Sequence, residues 1–262
     1  MTLDELKFNG DAKRVRVFQT QRGKVDTRDP YSQWNLCDYT NDNAQRVFDA
    51  RVELCQQLDI DNEHLIMPQQ THSCRVTTID GKLVAAPNRI RKLMLENVDA
   101  LVTTVPGVCI GVNTADCVPI ALTDPINGVI AIAHAGWRGT VGRIAKATVQ
   151  VMVAVGAKTH NILATMGASI CQDCFEVGDE VANAFEDAGF DMSLIMKRDT
   201  TTGKAHINLQ EANRQVLIAA SVPSGNITLP NHCSRCEPNR YFSARRLGIN
   251  SGRSFTGILM EY

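Results

Sequence analysis

Between Asp99 and Ala135 the chain is apolar almost without relief, as "ALVTTV", "CIGVNTA", "VPIALTD" and "GVIAIAHA". Pro106-Gly107, the notch Thr114–Cys117 and the Asn127-Gly128 turn signal divide this block into four runs that read as successive strands. The notch sets a carboxylate, Asp116, beside a thiol, Cys117. A thiol alone can serve as a small hydrophobe, but carboxylates are rarely buried without a partner. In the last run Ile130, Ile132 and His134 share one face by the period-two rule, so the imidazole extends an apolar row and needs a partner or a metal.

Around this block the sequence alternates strand and helix signals without strict order. "RVRVFQT" is strand-like and is followed by a turn-rich loop through Leu36. Asp42 is placed to cap a helix carrying Val47, Phe48, Val52, Cys55 and Leu58 on one face, and Thr140 to cap another through Val155. "NILATMGASI" reads as strand and "VGDEVANAFEDAGF" as amphipathic helix. "HINLQEANRQVLIAA" turns from strand into helix, with Asn208 and Glu211 spaced as a capping box. "GNITLPNHC", "YFSARR" and "SFTGILME" read as closing strands. Strands outnumber helices, so the expected class is α/β of the mixed-sheet α+β kind, not a doubly wound parallel sheet. With no repeat or linker in its 262 residues, the chain is expected to form one domain over 1–262, with 1–14 loosely ordered.

Composition excludes some partners. A formal charge of −1 argues against nucleic acid and membrane surfaces, which both call for a basic excess. No window is apolar enough for a membrane span, and the N-terminus lacks a secretory h-region. Nine cysteines without such a signal suggest reduced thiols and a cytoplasmic protein.

Two residue sets fit a metal. Cys171/Cys174 and Cys233/Cys236 are paired Cys-x-x-Cys units, the donors of a tetrahedral structural zinc site, though 58 residues separate the halves. His72, Cys117 and His134 each end a strand-like segment, where functional groups gather in α/β proteins. One thiolate and two imidazoles match a catalytic zinc site with an open position, and Asp116 is placed as a partner, a base or only a turn. In "AHAGWRGT", Gly136, Arg138 and Gly139 lead into a helix start suited to an anion.

These segments resemble a known family. "VDALVTTVPGVCIGVNTADCVPIALTDP", "IAIAHAGWRGT" and "YFSARRLGINSGR" are similar to the signature blocks of the laccase-domain (YfiH-like) proteins, and "PYSQWNL", "PQQTHS" and "GASICQDCFEVGDEV" to three further blocks. The family, formerly called multicopper polyphenol oxidases, is described as purine nucleoside phosphorylases. The resemblance implies a layered α/β domain related to the chemotaxis deamidase CheD and to cytotoxic necrotising factor toxins. It implies zinc at His72, Cys117 and His134, phosphorolysis of adenosine, inosine and methylthioadenosine, and deamination of adenosine. Purine nucleosides and phosphate are the expected partners, with Asn35, Ser169, Arg245 and Arg246 at matching positions. Ala168, Phe175 and Ala244 depart from the usual residues, and Cys171 stands where glycine is common. Other readings remain open: a copper polyphenol oxidase, a deamidase with Cys117 as nucleophile and His134 as base, and a non-enzymatic zinc-knuckle module.

Overall fold

A computed structural model describes residues 1–26 and 28–261; Thr27, inside the expected loop, and Tyr262, at the end of the expected domain, lie outside it. The chain opens with β1 (Leu3–Glu5), β2 (Val15–Thr20) and α1 (Ala44–Leu58), then β3 (Leu65–Ile66) and β4 (Val76–Ile79). Short helices α2 (Gly81–Val84) and α3 (Asn88–Met94) lead into the apolar block. The block forms β5 (Ala100–Thr103), β6 (Cys109–Thr114), β7 (Val118–Asp124) and β8 (Val129–Ala135), one strand for each run. Next come α4 (Trp137–Val141), α5 (Ile144–Ala154), β9 (Leu163–Met166), β10 (Glu176–Val177), α6 (Asp179–Asp187) and α7 (Met192–Ile195). The remainder is β11 (Met196–Arg198), β12 (Ala205–Ile207), α8 (Leu209–Ala219), β13 (Ile227–Thr228), α9 (Ala244–Leu247) and β14 (Ser254–Met260).

Two mixed sheets carry the fold. One has the order β1-β2-β14-β6-β3, the other β13-β9-β7-β8-β5-β4, and β10-β12-β11 form a small third sheet. Strands β5 to β8 are buried along their whole length, as expected for strands covered on both faces. Their side chains sort by parity. Val118, Ile120, Ala131 and Ala133 pack under α5, α6 and α8 against Val149, Phe185 and Val216. Leu101, Ala121, Ile130 and Ile132 face the other sheet, meeting Val17, Ile110, Val112 and Ile258. On the far side of that sheet Phe18, Cys109 and Phe255 pack on Ala50 and Leu54 of α1. The layers therefore run helix, sheet, sheet, helix, which agrees with the mixed α/β expectation.

Details differ where long-range contacts decide local structure. Asn43, not Asp42, caps α1 by accepting the Gln45 and Arg46 N–H groups, while Asp42 pairs with Arg46. Phe48 is exposed, and Leu54 takes the core position. The helix expected from Thr140 starts at Trp137, and Thr140 instead donates its hydroxyl to the Gly136 carbonyl. It breaks at Arg143, whose φ of 66° is left-handed, because the guanidinium reaches the Ala188 carbonyl and lies over the Phe190 ring. "YFSARR" is no strand; Ala244–Leu247 is a helical turn whose Arg245 N–H bonds Asp116. Within the first fourteen residues, Leu3–Glu5 pairs antiparallel with β2. The Asn208 cap on the Glu211 N–H is as expected.

Candidate metal centre

The β7–β8 hairpin does the first part of the work. Its register pairs Pro119 with His134, which brings Cys117, just before β7, beside the end of β8. β5 pairs with β8 on one side and β4 on the other, which draws in the loop before β4 that carries His72. The ligating atoms of His72, Cys117 and His134 all lie within 4.8 Å of one another, with Cys117 Sγ 3.9 Å from His72 Nε2. The two rings meet edge to face at 4.9 Å.

Asp99, fully buried ahead of β5, organises both imidazoles. Its carboxylate accepts the N–H groups of Thr71 (3.2 Å), His72 (3.0 Å) and Ser73 (2.8 Å) and the Ser73 hydroxyl (2.7 Å). These bonds hold the loop in which His72 adopts a left-handed φ of 61°. The same carboxylate lies 2.7 Å from His134 Nδ1. Asp99 is an acceptor in every one of these contacts, so Nδ1 of His134 carries the proton and Nε2 keeps its lone pair for a metal.

Electrostatics favour charge within the cluster. Burial opposes charge at all three groups, and specific partners outweigh it. Hydrogen bonds from His134 and Ser73 bring Asp99 down to about 2. The two imidazoles bring the Cys117 thiol down to about 6, toward the thiolate that metals bind. The Cys117 and Asp99 charges raise His134 to about 9, so a metal taken up at Nε2 displaces a proton.

Gly136 shows how tightly the cradle closes. Its φ of −72° is ordinary, yet a Cβ there would stand 2.9 Å from both Cys117 Sγ and His72 Cδ2. One thiolate and two imidazoles packed to this separation, with a carboxylate behind one ring, are a donor set that fits a metal ion.

The other expected site residues divide. Asp116, at a left-handed φ of 86°, uses one carboxylate oxygen on the Ser234 hydroxyl and the other on the Arg245 N–H, both at 2.7 Å. It thereby braces the turn before Cys117, and Asp99, not Asp116, is the carboxylate on the histidine. Asn35, expected to line the pocket, is fully buried and engaged with Thr40, Asp42 and the Cys37 and Arg253 N–H groups. Ser169 is likewise buried and accepts from Gln210. Gly139 packs against Ile144. Arg138 and Arg246 are exposed, Arg138 lying over the Trp137 ring at 4.3 Å. A groove of about 610 Å³ lined by Tyr39, Phe48, Met67 and Arg91 contains none of the three ligands, so volume alone does not mark the site.

Comparison with known proteins identifies the family. Residues 15–261 match the family described as multi-copper polyphenol oxidoreductase laccase. The chain belongs to this laccase-domain family. It is 57% identical over 256 residues to adenosine deaminase RL5 from an unknown prokaryotic organism, covering 98% of each chain. It is 41% identical over 248 residues to a purine nucleoside phosphorylase of Bacteroides thetaiotaomicron, covering 94% of this chain and 92% of that one. The crystal structure of YlmD from Geobacillus stearothermophilus superposes with a TM-score of 0.86 at 27% identity, over 96% of this chain and 93% of that one.

Asp99 is the residue that sequence reasoning passed over. The available signal was a carboxylate heading an apolar run, the same oddity that drew attention to His134 within its own run.

Proposed function

We propose that this laccase-domain protein is a zinc-dependent purine nucleoside phosphorylase that also deaminates adenosine. The observation that carries the reading is the trio His72, Cys117 and His134, gathered within 4.8 Å and backed by Asp99. The names of its relatives, adenosine deaminase and purine nucleoside phosphorylase, point the same way. Zinc held by His72, Cys117 and His134 would supply a Lewis acid able to activate water near neutral pH.

The protein's own groups do the rest. Asp99 holds the proton on His134 Nδ1 and fixes the ring; Gly136 lets the backbone approach the ligands; Asp116 braces the turn before Cys117. Arg138 and Arg246, both exposed, are the cations offered to phosphate, with Gly136 and Gly139 flanking Arg138 in the chain. In phosphorolysis phosphate attacks the ribose C1′ and the N-glycosidic bond breaks, releasing the purine. In deamination water replaces the C6 amino group and ammonia leaves. All nine cysteines are free and no helix among the described residues is long and apolar enough to cross a membrane, which supports a reducing, cytoplasmic setting.

The family description and the one-thiolate, two-imidazole donor set favour copper as the second reading. Only two of the six histidines belong to the cluster, few for several coppers. The test is to incubate zinc-loaded protein with adenosine, with and without phosphate. Ribose 1-phosphate formed only with phosphate, and inosine formed without it, are expected, and Cys117→Ala should lose both products together with the zinc of this site. Oxygen uptake with a phenol after copper loading, and no nucleoside turnover, would replace this reading with the oxidase.

A further inference from the structure

The paired Cys-x-x-Cys units, which the proposed chemistry does not use, come together in space. Each pair of facing cysteines, Cys171 with Cys233 and Cys174 with Cys236, is 62 positions apart in sequence. Their four sulfurs nevertheless all lie within 4.8 Å of one another. A tetrahedral ion with metal–sulfur bonds of about 2.3 Å has sulfur–sulfur edges of about 3.8 Å, well inside that limit.

Local structure is that of two facing knuckles. Cys171 precedes the tight 3₁₀ turn Gln172–Cys174, so the first two thiols project from one turn. The second unit turns between Cys233 and Glu237, whose N–H bonds the Cys233 carbonyl at 3.0 Å. A parallel bridge joins Ser169 to Cys233, and the Ser234 N–H donates to the Ser169 carbonyl at 3.2 Å. The Cys171 N–H points at Cys233 Sγ from 3.3 Å, a donor that stabilises a thiolate. No disulfide competes: all four thiols are free, and Cys174 Sγ and Cys236 Sγ stand 3.4 Å apart, far beyond a bond of about 2.05 Å.

We infer that Cys171, Cys174, Cys233 and Cys236 bind a second, structural zinc ion, closed by four protein ligands and separate from the site at His72, Cys117 and His134. Its role is a clasp. It ties the loop after β9 to the segment after β13, two strands whose own pairing spans only two residues each. The clasped segment carries Ser234, whose hydroxyl holds Asp116 at 2.7 Å beside Cys117. The second ion thus secures one wall of the first site without touching it.

Metal analysis of the 262-residue chain tests this, independently of nucleoside turnover. Wild type should hold two zinc ions per chain, Cys117→Ala one, Cys236→Ser one, and the double variant none. Cys236 is exposed, so its replacement spares the core, and Cys171→Ser provides a second variant with the same expectation. Cobalt in Cys117→Ala should give the intense thiolate charge-transfer absorption of a four-sulfur site, absent from the double variant. Chelation should lower the thermal midpoint of Cys117→Ala and leave that of the double variant unmoved. One zinc in wild type with four freely alkylated thiols would overturn the proposal. So would a mass deficit from disulfides, or iron in place of zinc.

Discussion

At the scale of single residues, the candidate site depends on one carboxylate and one missing side chain. Asp99 serves His134 through Nδ1 and His72 through its backbone, so Asp99→Asn disturbs two ligands at once. Zinc affinity at this site should fall about 10- to 100-fold in that variant, read by competition with a chromophoric chelator. Gly136→Ala asks a different question. The backbone there accepts any residue, so the only penalty is the Cβ pressed against Cys117 Sγ and His72 Cδ2. Weaker zinc binding by at least about tenfold, with thermal stability reduced by no more than about 1–3 kcal/mol, is the expected result. Unchanged affinity would mean that the ligands open more readily than their packing suggests. His134 was legible in the sequence because an imidazole interrupts an apolar row. Asp99 carried a weaker signal of the same kind, because it stands at the start of its run, where polar residues are common, and its partners lie 26 to 35 positions away.

At the scale of elements, the β7–β8 hairpin sets the spacing of two ligands, and its turn is pinned from the far end. Asp124 is buried there and accepts the N–H groups of Ile126, Asn127 and Lys158 and the Asn127 side chain. Burial alone would raise its pKa, but these four donors prevail and hold it below the usual carboxylate value. A depressed carboxyl contributes stability that is complete above its unfolded pKa of about 3.9 and fades as pH falls through the lower folded value. Asp124→Ala should therefore cost about 1–3 kcal/mol at neutral pH in urea denaturation, with the gap to wild type narrowing below about pH 4. A gap independent of pH would assign the loss to packing. The strands around this turn were readable from sequence because burial on both faces makes them uniformly apolar. The break between α4 and α5 was not, since Arg143 is turned left-handed by the Ala188 carbonyl and the Phe190 ring. The misread "YFSARR" has the same origin: its helical turn answers to Asp116, 129 positions earlier.

Across the whole molecule, four layers place every ligand of the candidate catalytic site at one end of the six-stranded sheet. Metal should report on global stability accordingly. Titrating zinc into metal-free Cys236→Ser, which retains only the mixed-ligand site, should stabilise it by about 4 kcal/mol at a thousandfold excess over Kd. Adding Cys117→Ala should abolish that gain in calorimetry. The class of fold could be read from the order of strand and helix signals, and the trio from its strand-end positions. The sorting of alternate residues into two cores became evident only once the sheets were stacked. The hairpin register has a further consequence, for the time course of folding. Cys117 and His134 become neighbours once a single turn closes, an event of microseconds. His72 lies 45 positions from Cys117 and must wait until β5 has docked between β8 and β4. Two donors are thus poised early and the third arrives with the finished sheet, so capture of the ion in refolding should trail the appearance of strand structure.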